Sequence, residues 1–209
     1  MVTKNKIKTK DKLISAVGEL IAESGFSSVG VNAIARRAGV DKVLIYRYFG
    51  DLNGLYEAYA KSSDFWPSID ELVDESMLEG ASLNCGEREA QSRQMLAEFF
   101  TRYLSALRSR PHTIEILAWE TIERNALTVA LENVREEFAM ATLEKFSHLK
   151  LPDADWLAIT NLFTGSIHYF ALRARKISNF SGMDIQQDEF WDRLAQTIEF
   201  LIFQVQENT

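Results

Sequence analysis

Apolar residues recur at helical spacing from about residue 10 to about residue 206, and that pattern confines the chain to an all-α fold. Residues 10–24 set Leu13, Ile14, Val17, Leu20 and Ile21 on one stripe, with Gly25 as a left-handed C-cap and Phe26 folding back behind it. Two short helices are predicted at 31–38 and 42–48, separated by Gly39-Val40-Asp41. Longer ones follow at 52–65, 69–79, 88–109, 111–124, 126–148, 154–177 and 186–206. The breaks fall before Pro67, at Gly80 to Gly86, at Pro111, at Pro152 and at the turn-rich SNFSGMD. Three prolines and ten glycines in 209 residues are too few for a many-turned β-chain. No strand pattern of useful length and no internal repeat occurs.

The lone Cys85 rules out an internal disulfide framework and a multi-cysteine zinc site. The opening MVTKNKIKTKDK has no apolar signal core, and no apolar run is long enough to span a membrane. A cytoplasmic location is the expectation. The formal net charge of −7 argues at first against a nucleic-acid partner, but it is unevenly spread. Residues 1–60 carry nine Lys/Arg against six Asp/Glu, a net +3; the other 149 carry 14 against 24, a net −10. A basic head sits on an acidic body.

Residues 31–50, VNAIARRAGVDKVLIYRYFG, have the spacing of a helix-turn-helix. Two helices that cross steeply touch closely, so the first must present a small side chain, Ala35. The turn needs positive φ, which Gly39 adopts without steric cost. Ile34, Ala38, Val40, Ile45 and Phe49 close a small core, and Asp41 caps the second helix by accepting an orphan backbone N–H. That helix presents Lys42, Val43, Leu44, Tyr46, Arg47 and Tyr48, whose N-terminal members would reach base edges while cations and hydroxyls take phosphates. Gly30 and Asn32, at the start of the preceding helix, complete the candidate DNA surface together with Lys10 from the basic segment. A helical hairpin in some other all-α protein is the competing reading of the spacing alone.

From Leu13 to Tyr59 the chain resembles the DNA-binding head of the TetR family of bacterial transcriptional regulators. The residues that carry the resemblance are Ala22-Glu23-Ser24-Gly25-Phe26, Ile34-Ala35-Arg36-Arg37-Ala38-Gly39-Val40, Ile45-Tyr46-Arg47-Tyr48-Phe49 and Leu55. The resemblance implies an N-terminal three-helix head, residues 1–50, and a larger helical body, residues 51–209, for effector binding and dimerisation. Three positions depart from the family pattern. Gly30 stands where Thr or Ser often caps the second helix, with Ser27 or Ser28 as substitutes. Val43 stands where glycine often opens the recognition helix, and Leu52 beside Asp51 where a lysine often grips phosphate. The alternating lysines 4, 6, 8, 10 and 12 are read either as a flexible arm along phosphates or as a solubilising tail.

In the body, helices 154–177 and 186–206 carry apolar stripes wider than one face, enough for their own core and a second copy of the chain. The resemblance also implies an effector pocket. Candidate lining residues are Trp66, Met95, Phe99, Tyr103, Trp119, Phe163, His168 and Tyr169, with Glu120, Arg102 and Asn161 for polar contacts. Their mix points to an apolar or aromatic effector. No metal-ligand spacing links His112, His148 and His168, and no phosphate loop or nucleophile motif occurs, so neither cofactor, metal nor enzymatic activity is expected. The expected function is that of a ligand-responsive regulator, most simply a repressor, which binds a palindromic operator as a homodimer. The alternative is a ligand-binding or interaction protein whose degenerate head, marked by Gly30 and Leu52, no longer binds DNA.

Overall fold

The computed structural model describes residues 2–62, 65–73 and 84–206, with side chains from residue 5 onward. In chain order the elements are α1 (Val2–Ser24), a 3-10 turn (Phe26–Ser28), α2 (Val31–Ala38), α3 (Val43–Phe49), α4 (Leu52–Ala60), α5 (Ile69–Leu72), α6 (Cys85–Arg108) and α7 (Pro111–Glu120). Then come α8 (Ala126–Phe146), α9 (Trp156–Ala174), the two-residue strands β1 (Asn179–Phe180) and β2 (Met183–Asp184), and α10 (Asp188–Gln204). The fold is all-α, as the periodicity requires.

The elements group into two compact units. One comprises residues 1–67 and 110–140, the other residues 68–109 and 141–209. In the first, α1 is the hub and packs against α2, α4 and α7. Its core is the stripe read from the sequence: Leu13, Val17 and Ile21 are fully buried, together with Ile34, Ile45 and Leu55 from α2, α3 and α4. Burying each such side chain contributes roughly 1.5–3 kcal/mol, so this small head has enough apolar contact to hold three short helices. In the second unit α6 is the hub, backing α9 and α10. Asn84 and Glu87 form a capping box at its start. Arg93, buried within α6, donates to the backbone carbonyls of Ile202 and, at 2.6 Å, Val205, and so caps the C-terminal end of α10.

Several boundaries differ from those expected. Helix α1 begins at Val2, so the lysine-rich segment is helical and is neither a flexible arm nor a disordered tail. Helix α4 stops at Ala60, well before Pro67, because Ser62 turns back with both its N–H and its hydroxyl on the Tyr59 carbonyl. The chain then buries Phe65 and Trp66. Residues 63–64 of the predicted helix lie outside the described residues. So do 74–79 of the helix predicted at 69–79, and 80–83 of the break that follows it. Gly25 has the expected positive φ, but at φ 75, ψ 179 it is extended and not left-handed helical. SNFSGMD is a hairpin: β1 and β2 pair antiparallel across Ser181 and Gly182, both at positive φ.

Candidate nucleic-acid interface

The helix-turn-helix is built as its spacing requires. Gly39 sits at φ 66, ψ 36, and the Val40 N–H reaches back to the Ala35 carbonyl at 3.0 Å, closing α2 with a Schellman-type turn. Ala35 and Ile45 are buried at the crossing. The Asp41 carboxylate accepts the Val43 N–H at 2.8 Å and so starts α3. Gly30 is the N-cap of α2 with no side-chain cap bond. Ser28 does not substitute for one, since its hydroxyl donates to the carbonyls of Leu20 and Gly25.

The two arginines of the second helix differ sharply. Arg37 donates to Glu19 at 3.1 Å and bidentately to Glu23, both on α1, so it locks α2 to α1. The same contacts hold the Glu23 carboxyl below the usual carboxylate range and the Arg37 guanidinium above its ordinary value. Arg36 is exposed. At the N-cap of α3 Lys42 is exposed, and on the helix so are Val43, Tyr46 and Arg47, with Val43 at 60% and Tyr46 at 52%. Among the described residues the side chains of Lys42, Tyr46 and Arg47 make no hydrogen bond or ion pair within the chain. A short helix thus presents two cations, a phenol and a methyl-bearing side chain to solvent. Leu44 and Tyr48 are half-buried, Asn32 is exposed and Gly30 half-buried.

Lys6 and Lys10, one turn apart on α1, stand over the rings of Tyr48 and Phe49 at 5.6 and 5.3 Å. They brace the end of α3 by cation–π attraction and bring positive charge to its flank. The alternating lysine pattern marks these positions without showing which of them share a helical face with a ring.

Asp51 caps α4 by accepting the Gly54 N–H at 2.8 Å, which makes use of the acid where the family pattern favours a neighbouring lysine. Nothing in the sequence singles out Gly54. A Cβ there would lie 2.1 Å from the Phe49 carbonyl oxygen, so only glycine lets the first turn of α4 fold this closely on the end of α3.

The residues nominated for an effector divide between the two units. In the first, Trp119 seats against Gly25, where a Cβ would lie 2.9 Å from the indole. Next to it in sequence, Glu120 pairs with Arg135 at 2.7 Å, and the guanidinium lies 5.7 Å from the centre of the buried Trp66 ring. Burial pushes the Glu120 carboxyl above its ordinary value, and Arg135 opposes that rise. Because the folded-state pKa exceeds the unfolded one, Glu120 favours folding most below the ordinary carboxylate pKa. That contribution is lost as pH rises through the folded value. Glu120→Gln is therefore expected to gain stability relative to the wild type as pH rises through the acid range, read from urea midpoints of both proteins at a series of pH values. A difference that does not change with pH would show that Glu120 does not carry that contribution.

In the second unit Met95, Phe99, Tyr103 and Phe163 are buried. Tyr103 Oη lies 2.6 Å from His168 Nε2, and its ring stacks on Phe99 with centroids 6.0 Å apart and planes at 6°. Phe100 meets Phe163 edge-on at 5.3 Å. Tyr169 is exposed beside Phe180, Asn161 is exposed, and Arg102 faces Glu98 at 3.8 Å. The second unit thus holds a polar pair in an aromatic interior. No cluster of three metal-ligating side chains occurs among the described residues, and none of their helices is long and apolar enough to cross a membrane.

Residues 13–59 match the model of the family described as bacterial regulatory proteins, tetR family. Over 84 residues the chain is 29% identical to the HTH-type transcriptional regulator YvdT of Bacillus subtilis (strain 168), a stretch covering 32% of this chain and 43% of that protein. The match therefore spans less than half of the relative's length. Among solved structures, a TetR-like transcriptional regulator from Rhodococcus sp. RHA1 superposes with a TM-score of 0.61 at 16% identity over 93% of each chain. The transcriptional regulator FadR from Bacillus subtilis, in complex with stearoyl-CoA, gives 0.59 at 17% identity over 92% of this chain and 97% of that one. Such identities speak to fold. The head spanning residues 13–59 is that of the tetR family of bacterial regulatory proteins, carried on a fold that TetR-like regulators share.

Proposed function

We propose that this protein is a DNA-binding transcriptional regulator that reads an inverted-repeat operator as a homodimer and is released by a small apolar or aromatic effector. The observation that carries this reading is α3 with its N-cap, where Lys42, Tyr46 and Arg47 stand exposed and unpaired beside Val43, with Tyr48 held under Lys6. Side chains left without partners within the chain are available to phosphates and base edges. Residues 1–50 form the DNA-reading head in this proposal, and residues 51–209 form the effector-binding and dimerisation body. Repression is the simplest mode of action, since a dimer seated on a promoter excludes other proteins.

Dimerisation rests on the outer faces of α9 and α10. Leu157, Leu162 and Tyr169 are exposed on α9, and Phe200, Leu201 and Phe203 on α10. These are large apolar side chains at positions a solitary chain would leave in water. One short recognition helix reads few base pairs, and two heads matched to a palindrome multiply the affinity. Leu162→Asp combined with Phe200→Asp is expected to give a monomer in sedimentation equilibrium and to lower operator affinity by at least about a hundredfold. A double variant that remains dimeric would place the interface elsewhere.

The Tyr103–His168 pair, with Phe99 and Phe163, supports the effector assignment in the second unit. An effector shifts the equilibrium only through different affinities for the DNA-bound and free states. FadR from Bacillus subtilis has been crystallised with stearoyl-CoA, an acyl chain on a polar carrier. An effector with a long apolar portion is in keeping with the aromatic side chains around that pair.

Gel shift against the chain's own promoter at several salt concentrations tests the reading. Sequence-specific retardation whose affinity falls steeply with salt supports it. Retardation that is absent or indifferent to sequence would favour the alternative, a head that has lost DNA reading at Gly30 and Leu52.

A further inference from the structure

The exposed face of α3 is mixed in chemistry, and its first turn differs from the rest. The helix carries three aliphatic side chains in succession: Ile45 is fully buried, Leu44 is half-buried, and Val43 is 60% exposed. At 3.6 residues per turn Val43 and Arg47 each lie about 160° around the helix from Ile45. They straddle the line that points directly away from the core. Tyr46 completes this face, and Lys42 stands at the N-cap. Val43 is thus an aliphatic group set among two cations and a phenol, at the N-terminal end of the helix. The cap itself is made by Asp41, whose carboxylate accepts the Val43 N–H at 2.8 Å and so takes the amide that a phosphate could otherwise use. What Val43 offers a partner is its side chain, two methyl groups that neither donate nor accept a hydrogen bond. Branching at Cβ holds them in one preferred rotamer, so their shape is fixed before any contact is made.

We propose that Val43 is a specificity-determining residue that reads the C5-methyl group of one thymine in each operator half-site. The inference rests on the DNA-reading role given to α3 above and assigns a base to one of its residues. In the major groove base pairs are distinguished by hydrogen-bond donors and acceptors and by a single apolar mark, the thymine methyl. A side chain without donor or acceptor discriminates through that mark. Cytosine at the same position presents an amino group and no methyl, and the two methyls of Val43 would then lie in water or against a polar edge. Residues at the start of a recognition helix are the ones that reach base edges. Val43 is also a departure from the family pattern, so the preference belongs to this chain.

Deoxyuridine scanning of the operator tests the proposal, because dU differs from dT by the methyl group alone. Duplexes of the inverted repeat that the wild-type chain retains are made with one thymine of each half-site replaced at a time. Affinities of the full chain and of Val43→Ala are read by fluorescence anisotropy. At one position per half-site, loss of the methyl should weaken wild-type binding by about fourfold for one half-site and about fifteenfold for the symmetric pair. Val43→Ala should bind the unmodified duplex more weakly by about the same factor, and dU at that position should cost it less than about twofold further. At every other thymine it should respond as the wild type does. Alanine is the better helix former, so the thermal midpoint of the variant should not fall. Equal responses of the two proteins at every thymine, with the operator still selected, would overturn the inference and leave DNA reading by α3 standing. Retention of no particular sequence by the wild-type chain would overturn both.

Discussion

Gly54→Ala is expected to destabilise the protein by about 2–4 kcal/mol, although glycine to alanine within a helix ordinarily stabilises by up to about 1 kcal/mol. The reversal has a single geometric cause. A Cβ at Gly54 would lie 2.1 Å from the Phe49 carbonyl oxygen, a backbone atom that cannot swing aside. To accept the methyl group, the first turn of α4 must unwind or withdraw from the end of α3. Unwinding forfeits the Asp51 cap, worth about 1 kcal/mol. Withdrawal disturbs Leu55, fully buried one residue further on. For a chain of this size the thermal midpoint should fall by about 5–12 °C. Gly86→Ala is the matched control, because a Cβ there meets only Asn84 Oδ1 at an ordinary 3.6 Å. Its midpoint should hold or rise slightly. A Gly54→Ala protein as stable as the wild type would mean that α4 does not approach α3 this closely.

The largest functional effect is expected from Arg47→Ala combined with Tyr48→Ala. Each side chain that touches a base or phosphate contributes roughly 1–3 kcal/mol to binding, and a dimer forfeits that contribution in both of its heads. Operator affinity should therefore fall by about a hundredfold or more. The slope of log affinity against log salt should become shallower by about one unit for each phosphate that is no longer neutralised. Arg47 is exposed and Tyr48 half-buried under Lys6, so the fold and the dimer should survive. Lys6→Ala offers a graded comparison: it removes both the cation over Tyr48 and a charge flanking α3. Retained affinity in the Arg47/Tyr48 variant would take the recognition role away from α3.

The head is legible in the sequence because its constraints are local. Ala35, Gly39 and Ile45 are fixed by a steep helix crossing and a tight turn, both satisfied within twenty residues, and α2 spans the residues its spacing predicts. Residues 2–9 are harder. Alternating lysines suggest a solvated arm, whereas in a helix Lys6 and Lys10 fall on one face and find aromatic rings more than thirty residues away. The end of α4 is misplaced by a sequence reading because proline is a strong breaker. The actual stop is made by Ser62 and by burial of Phe65 and Trp66, tertiary events with weak local signatures. Arg135, the partner of Glu120 across fifteen residues, has no local signal at all. Nor does Gly54, whose importance rests on the distance to one carbonyl oxygen.

The central claim is that α3 reads a DNA sequence. It is tested most directly by incubating the purified chain with sheared genomic DNA of its source, capturing the complexes and sequencing what is retained. The account predicts a small set of enriched fragments that share an inverted repeat, with half-site centres about one helical turn or a multiple of it apart, and no enrichment with the Arg47/Tyr48 variant. Fragments retained without a common sequence, or an equal set retained by the variant, would contradict it.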